Sequence, residues 1–192
     1  MKRYIIYIPG LGDHNDGLRR FFLFFWQLFG VKTELVPMRW YDGRSFDEKF
    51  DRVEAAIKKA VAKGYRVSLV GESAGGSMAM NVFARNNSID RMMSLCGVNH
   101  AHADISPQIF KKGPAFKTSV SLLNESRSVA VKNKLNRIVS VTAIADPTVS
   151  VKKNYIPGAK HITIWSIGHF TTIVLCLSIF SFILVRELKR SV

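Results

Sequence analysis

Apolar residues recur along this chain in two rhythms. Short apolar runs at 3–8, 32–37, 67–70, 89–98, 137–145 and 161–165 are bounded by glycine, proline or charged residues. Most are short and rich in β-branched side chains, so they read as strands buried on both faces. Between them the period lengthens. Over 45–63 the residues Phe46, Phe50, Val53, Ile57 and Val61 share one helical face, Ser45 and Glu48 form a capping box, and Gly64 ends the pattern. Residues 77–84 read as a second helix and 115–134 as a weaker helical stretch. Strands alternating with helices predict an α/β fold: a three-layer sandwich of about six mainly parallel strands with helices on both faces. The 192 residues suffice for one domain over 1–192 with a full core, and show no internal repeat or linker.

Two stretches exceed what packing on a sheet requires. Residues 21–29, Phe-Phe-Leu-Phe-Phe-Trp-Gln-Leu-Phe, are apolar almost all round a helix, and so are residues 171–185, within a hydrophobic C-terminal helix expected at about 170–188. Fifteen residues at the helical rise cover about 22 Å, short of the roughly 30 Å hydrocarbon core of a bilayer, so neither stretch reads as a membrane span. The surplus leaves three readings open: packing of these helices on each other, peripheral contact with a membrane, or a homodimer interface.

The chemistry concentrates at Gly71-Glu72-Ser73-Ala74-Gly75. This Gly-x-Ser-x-Gly motif follows the apolar run 67–70 and leads into the helical stretch, which puts Ser73 on a sharp strand-to-helix turn, a nucleophile elbow. A serine hydroxyl is a poor nucleophile until a base takes its proton and a carboxylate holds that base. Downstream, Asp146 follows the strand-like run 137–145, and His169 follows the one at 161–165. All three residues therefore fall just past strand ends, the edge where open α/β sheets place ligands.

On these residues the chain resembles the α/β-hydrolase superfamily, in a small version, along nearly its whole length. The resemblance rests on Gly71–Gly75, on Ala145-Asp146-Pro147-Thr148-Val149, on Gly168-His169-Phe170, and on Tyr7-Ile8-Pro9-Gly10-Leu11-Gly12, which is similar to the family's oxyanion loop. It implies a fold lacking the first two strands of larger members. It also implies a catalytic set of Ser73, Asp146 and His169, with the backbone amides of Leu11 and Ala74 as oxyanion hole. Gly10, Gly12, His14, Glu72 and His100 are expected to bind substrate. The implied activity is that of a serine hydrolase acting on carboxylic esters, small-molecule or lipid, through an acyl-enzyme. A thioesterase, amidase or acyltransferase would use the same residues. A membrane-associated binding protein on the same fold would need no such trio.

Other candidate chemistry is weaker. Gly10-Leu11-Gly12 opens like a dinucleotide fingerprint, but the third glycine falls on Asn15, so no nucleotide cofactor is expected. His100, His102 and Asp104 offer metal-ligand types without a metal-site spacing. A polar loop over the pocket is the preferred reading and no metal is expected, with Asp104 in reserve as an alternative triad acid. Cys96 and Cys176, lacking paired spacing, read as buried thiols of a reducing compartment, and the N-terminal run, broken at Pro9-Gly10, reads as strand rather than signal peptide. These point to a cytoplasmic protein, with the inner face of the membrane as the place for any peripheral contact. Lys plus Arg number 28 against 14 for Asp plus Glu, a net charge of +14. Such a field attracts anionic surfaces, and with no nucleic-acid motif beside it, a membrane surface or acidic substrate fits better than nucleic acid.

Overall fold

The computed structural model describes residues 2–14, 16–101 and 105–190. Six strands form one parallel sheet: β1 (Arg3–Ile8), β2 (Val31–Leu35), β3 (Arg66–Glu72), β4 (Ile89–Leu95), β5 (Ile138–Ala145) and β6 (Lys160–Ile167), in the order β2-β1-β3-β4-β5-β6. The helices are α1 (Gly17–Trp26), α2 (Phe46–Ala62), α3 (Ala74–Arg85), α4 (Pro107–Lys112), α5 (Pro114–Ser121), α6 (Leu123–Lys134), α7 (Val151–Asn154), α8 (His169–Leu177) and α9 (Ser181–Lys189). This is the three-layer α/β architecture that the apolar rhythm predicts.

Two cores flank the sheet. On one face α2, α3, α5 and α6 bury Val53, Ile57, Met78, Phe83, Phe116 and Leu123 against Ile6, Leu69 and Met92. On the other, α1, α8 and α9 bury Leu23, Trp26, Ile173, Leu184 and Leu188 against Ile5, Val70, Met93 and Val141. The α2 capping box forms as read: the Ser45 hydroxyl accepts from the Glu48 amide, and the Glu48 carboxylate accepts from the Ser45 amide.

The chain runs from β1 through α1 to β2 on one side, then returns across to β3 and continues through α3 on the opposite face. Connections leaving neighbouring strands in opposite directions open a crevice at their C-terminal ends. The loop after β1 and the turn after β3 border that crevice.

The C-terminal segment departs from expectation. A single helix over 170–188 is replaced by α8 and α9, bent by 68°. Ser178 leaves the helical region (φ −103°, ψ −93°), its hydroxyl donates to the Val174 carbonyl at 2.6 Å, and the Ser181 hydroxyl donates to the Ser178 carbonyl at 2.6 Å. Serines that capture nearby carbonyls favour bends and helix ends. The bend lets both halves follow the twisted sheet, so α9 reaches β4 while α8 stays on β5 and β6. The expected neighbourhood of first and last helices is present. The Trp26 indole donates to the Leu177 carbonyl at 2.9 Å, and the Lys189 ammonium donates to the Phe29 carbonyl at 3.0 Å.

Candidate active site

β3 delivers Ser73 on a turn with φ 51° and ψ −120°, outside the regions open to most side chains. Strain of this kind costs roughly 1–3 kcal/mol and persists only where the surroundings over-determine it. Here the packing does so. A Cβ on Gly75 would lie 2.1 Å from the Ile8 carbonyl oxygen, and one on Gly10 would lie 2.8 Å from the Ser73 Cβ. The loop after β1 is thus pressed directly onto the elbow, which no larger residue at these two positions allows. The Ser73 amide donates to the Leu95 carbonyl at 3.0 Å and its carbonyl accepts from the Val98 amide at 3.0 Å, fixing the turn to the end of β4.

The Ser73 hydroxyl stands 2.9 Å from His169 Nε2, and His169 Nδ1 stands 2.6 Å from Asp146 Oδ2. Asp146 is held in turn. Its Oδ1 accepts from the Thr148 and Val149 amides at 2.8 and 2.9 Å, and its side chain is 2% exposed. Burial alone would raise the carboxyl, but the hydrogen bonds from His169, Val149 and Thr148 outweigh it and hold Asp146 below the usual carboxylate range. An ionised carboxylate only accepts hydrogen bonds. Nδ1 of His169 therefore carries the proton, and Nε2 is left to accept from Ser73.

Ala74 opens α3, so its amide has no acceptor within the helix. Leu11 borders the same cavity as Ser73 and Ala74, about 110 Å³ in volume, whose walls are largely apolar: Val98, Ile105, Ile109, Phe116 and Val149, with Lys153 among them. Behind the acid loop, Asn99 and Asn154 are buried and saturated. The Asn99 amide side chain donates to the Asn154 carbonyl at 2.7 Å, and the Asn154 side chain donates to the Gly97 carbonyl at 3.1 Å.

No family model matches the sequence, and no curated protein matches it. Solved structures do. An alpha/beta hydrolase, GrgF, from Penicillium sp. sh18 superposes with a TM-score of 0.71 at 12% identity, over 100% of this chain and 91% of that one. The enol-lactonase from Burkholderia xenovorans LB400 gives 0.70 at 12% identity, over 99% and 92%. A monoacylglycerol lipase from Paleococcus ferrophilus gives 0.63 at 10% identity, over 91% and 93%. The chain has the α/β-hydrolase fold.

Within that fold the residues expected to bind substrate separate. Gly10 lies against the elbow. Gly12 borders a different, larger groove between α1 and α8. His14 is exposed and lines a hollow with Asp13, Arg39 and Tyr41 rather than the cavity at Ser73. His100 is directed to Arg127 and to the Tyr155 carbonyl, 2.7 Å from its Nε2. Glu72 turns away from the cavity. It accepts from the Tyr7 hydroxyl at 2.5 Å and takes a two-pronged contact from Arg19, Nε at 2.7 Å and Nη2 at 2.6 Å. The reserve acid Asp104, with His102, lies outside the described residues.

Arg19 is a functional-site residue that no sequence motif marks. A third guanidinium nitrogen, Nη1, donates to the Gly12 carbonyl at 3.2 Å. One side chain thus links the loop after β1 to the residue preceding Ser73. Only the contact between distant segments reveals it. Cys96, Asp146 and His169 also bring ligand-type atoms within 4.8 Å of one another. Burial pushes the Cys96 thiol well up, which keeps it protonated and a poor ligand, and the other two are already bonded to each other.

Proposed function

We propose that this chain is a serine hydrolase that cleaves carboxylic esters through an acyl-enzyme on Ser73. The observation that carries the reading is the unbroken relay from the Ser73 hydroxyl to His169 Nε2, and from His169 Nδ1 to Asp146, on a strained elbow at the mouth of a cavity. His169 takes the Ser73 proton as the serine oxygen attacks the acyl carbonyl, and the Leu11 and Ala74 amides receive the oxyanion. The imidazolium then gives its proton to the departing alcohol oxygen. Water, deprotonated by His169, attacks the acyl carbon and releases the acid, restoring Ser73. Asp146, bonded on both oxygens, steadies the imidazolium without taking its proton.

The apolar walls around Ser73 favour an apolar acyl or alcohol group over a charged one. The enol-lactonase and monoacylglycerol lipase neighbours agree with an ester substrate, at the level of fold. A fluorophosphonate probe should label the wild-type chain at Ser73 and leave Ser73→Ala unlabelled. Asp146→Asn should keep the fold and lower ester turnover by on the order of 10³–10⁴-fold, because the imidazole then loses its correct tautomer. A folded wild-type chain that resists the probe overturns the mechanism.

A further inference from the structure

We infer that the outer face built by α1, α8 and α9 docks on an anionic lipid bilayer. The inward side of α1 is filled by Leu23 and Trp26, both buried. Phe21, Phe24, Phe25 and Leu28 turn to solvent instead, with Phe24 65% and Leu28 80% exposed. Phe170 at the start of α8 is 67% exposed, and Phe182 on α9, which packs on the same side of the sheet, is exposed as well. The rings are already packed edge to face, Phe21 on Phe25 at 5.0 Å and Phe24 on Phe25 at 5.6 Å. A preassembled aromatic surface enters an interface without losing much side-chain freedom.

Charge selects the occupant. The exposed charged residues of these three helices are Arg20, Arg186 and Lys189, with Arg190 just beyond α9. The one acid among them, Glu187, is 2% exposed and held by Lys160 at 2.7 Å and Arg190 at 3.2 Å. Every exposed charge on these three helices is therefore cationic, with the half-buried Glu34 of β2, bonded to the Tyr4 hydroxyl, the acid beside Arg20 and Phe24, and an acidic headgroup layer complements that balance. A second copy would do the reverse. An isologous pair would bring each cationic rim toward its own image. Crossing the bilayer is not the proposal: among the described residues no single helix is long and apolar enough, and the inner sides of α8 and α9 are buried on the sheet.

The face also adjoins the site. Between α1 and α8 runs a groove of about 320 Å³, lined by the exposed Gly12, Leu18 and Phe170, the half-buried Arg19 and the buried Ile173 and Leu177. A chain lying in the bilayer would meet this groove on the way to the loop after β1. The docking itself does not depend on Ser73 being a nucleophile, so its test reads binding alone.

The experiment is co-sedimentation of the full-length chain, carrying Ser73→Ala so that no lipid is consumed. The probes are phosphatidylcholine vesicles and vesicles of phosphatidylcholine with one-third phosphatidylglycerol. The chain should pellet with the second in preference to the first. The double substitution Phe24→Ser/Leu28→Ser should weaken that binding about tenfold or more while leaving the melting temperature in place, since both side chains are exposed. Neutralising Arg20, Arg186 and Lys189 should weaken it too, whereas neutralising Lys111, Lys112 and Lys117, on α4 and α5 away from this face, should matter less. Overturning results are a chain that stays in the supernatant with both vesicles, or a Phe24→Ser/Leu28→Ser variant that binds like its parent, which would reduce the attraction to net charge. A dimer in sedimentation velocity that dissociates on the same double substitution would assign the face to a second copy and equally overturn the proposal.

Discussion

The two faces of the sheet obey the same packing physics and end in opposite surfaces. On the α2/α3 face, α3 is buried from Ala74 to Ala84 between the sheet and α5 and α6, and α2 turns an apolar stripe inward and polar residues outward: it buries Val53, Ala56, Ile57 and Ala60, with Lys49 its one fully buried charge, and exposes Asp47, Glu48, Asp51, Lys58 and Lys59. On the α1/α8/α9 face the stripe is just as well filled, by Trp26, Ile173 and Leu184, yet the outward side is apolar as well. A helix needs only one such stripe to hold a sheet. What remains outside on α1 is not used in packing on the sheet, and it is the surface that the proposed lipid docking would cover. The lesson is that burial accounts for the first face completely and for the second only by half.

The tight face should give way first. At the elbow, α3 approaches β1 so closely that Gly75→Ala puts a methyl carbon 2.1 Å from backbone oxygen. Neither strand nor helix can yield without unseating the other. This substitution should cost more than about 4–5 kcal/mol, beyond the usual range for point changes, and leave little soluble folded chain in expression and thermal-melt assays. A Gly75→Ala variant that melts like wild type would show that the elbow is looser than its geometry.

Much of this region was legible before any coordinates. The strand runs ended within a few residues of their sequence boundaries because short β-branched runs closed by glycine or charge leave little freedom. Ser73, Asp146 and His169 are legible from their order and from the strand ends they follow, both of which topology carries into space. What sequence could not supply were the contacts between remote segments. The break at Ser178 is local, but it turns on which carbonyl the serine hydroxyl captures, which the run of apolar residues across it does not mark. His14 and His100 sat beside the right strands but on loops whose course is set by Arg39, Arg127 and Tyr155. Glu72, beside the nucleophile in sequence, lies on the opposite side of the strand because consecutive residues alternate.

Arg19 joins the aromatic helix to the strand end beside the elbow and supplies an intermediate test. It sits on α1, among the aromatic residues, yet its guanidinium is bound to Glu72 and the Gly12 carbonyl beside the elbow. The pair is largely withdrawn from water, side chains 14% and 2% exposed. Removing Arg19 leaves the buried Glu72 carboxylate with only the neutral Tyr7 hydroxyl as its side-chain partner, so Arg19→Ala should cost about 3 kcal/mol, read by denaturant unfolding. Adding Glu72→Gln should recover part of that loss, because the orphaned charge is gone. If the double variant is no more stable than Arg19→Ala, the contact is packing rather than charge.

The smallest effect carries the sharpest contrast between the faces. Phe83 on α3 is fully buried, and Phe24 on α1 is 65% exposed. Both are phenylalanines on helices covering the same sheet, and propensity does not distinguish them. Phe83→Ala should cost about 3–5 kcal/mol through lost transfer energy and the cavity left behind. Phe24→Ala should stay within about 0.5 kcal/mol, or improve solubility, since its ring surrenders little to the core. Chemical denaturation of the two variants in parallel measures the difference directly. Were Phe24→Ala to cost as much as Phe83→Ala, the aromatic face would be a structural element of the monomer, and its exposure would no longer call for a lipid partner.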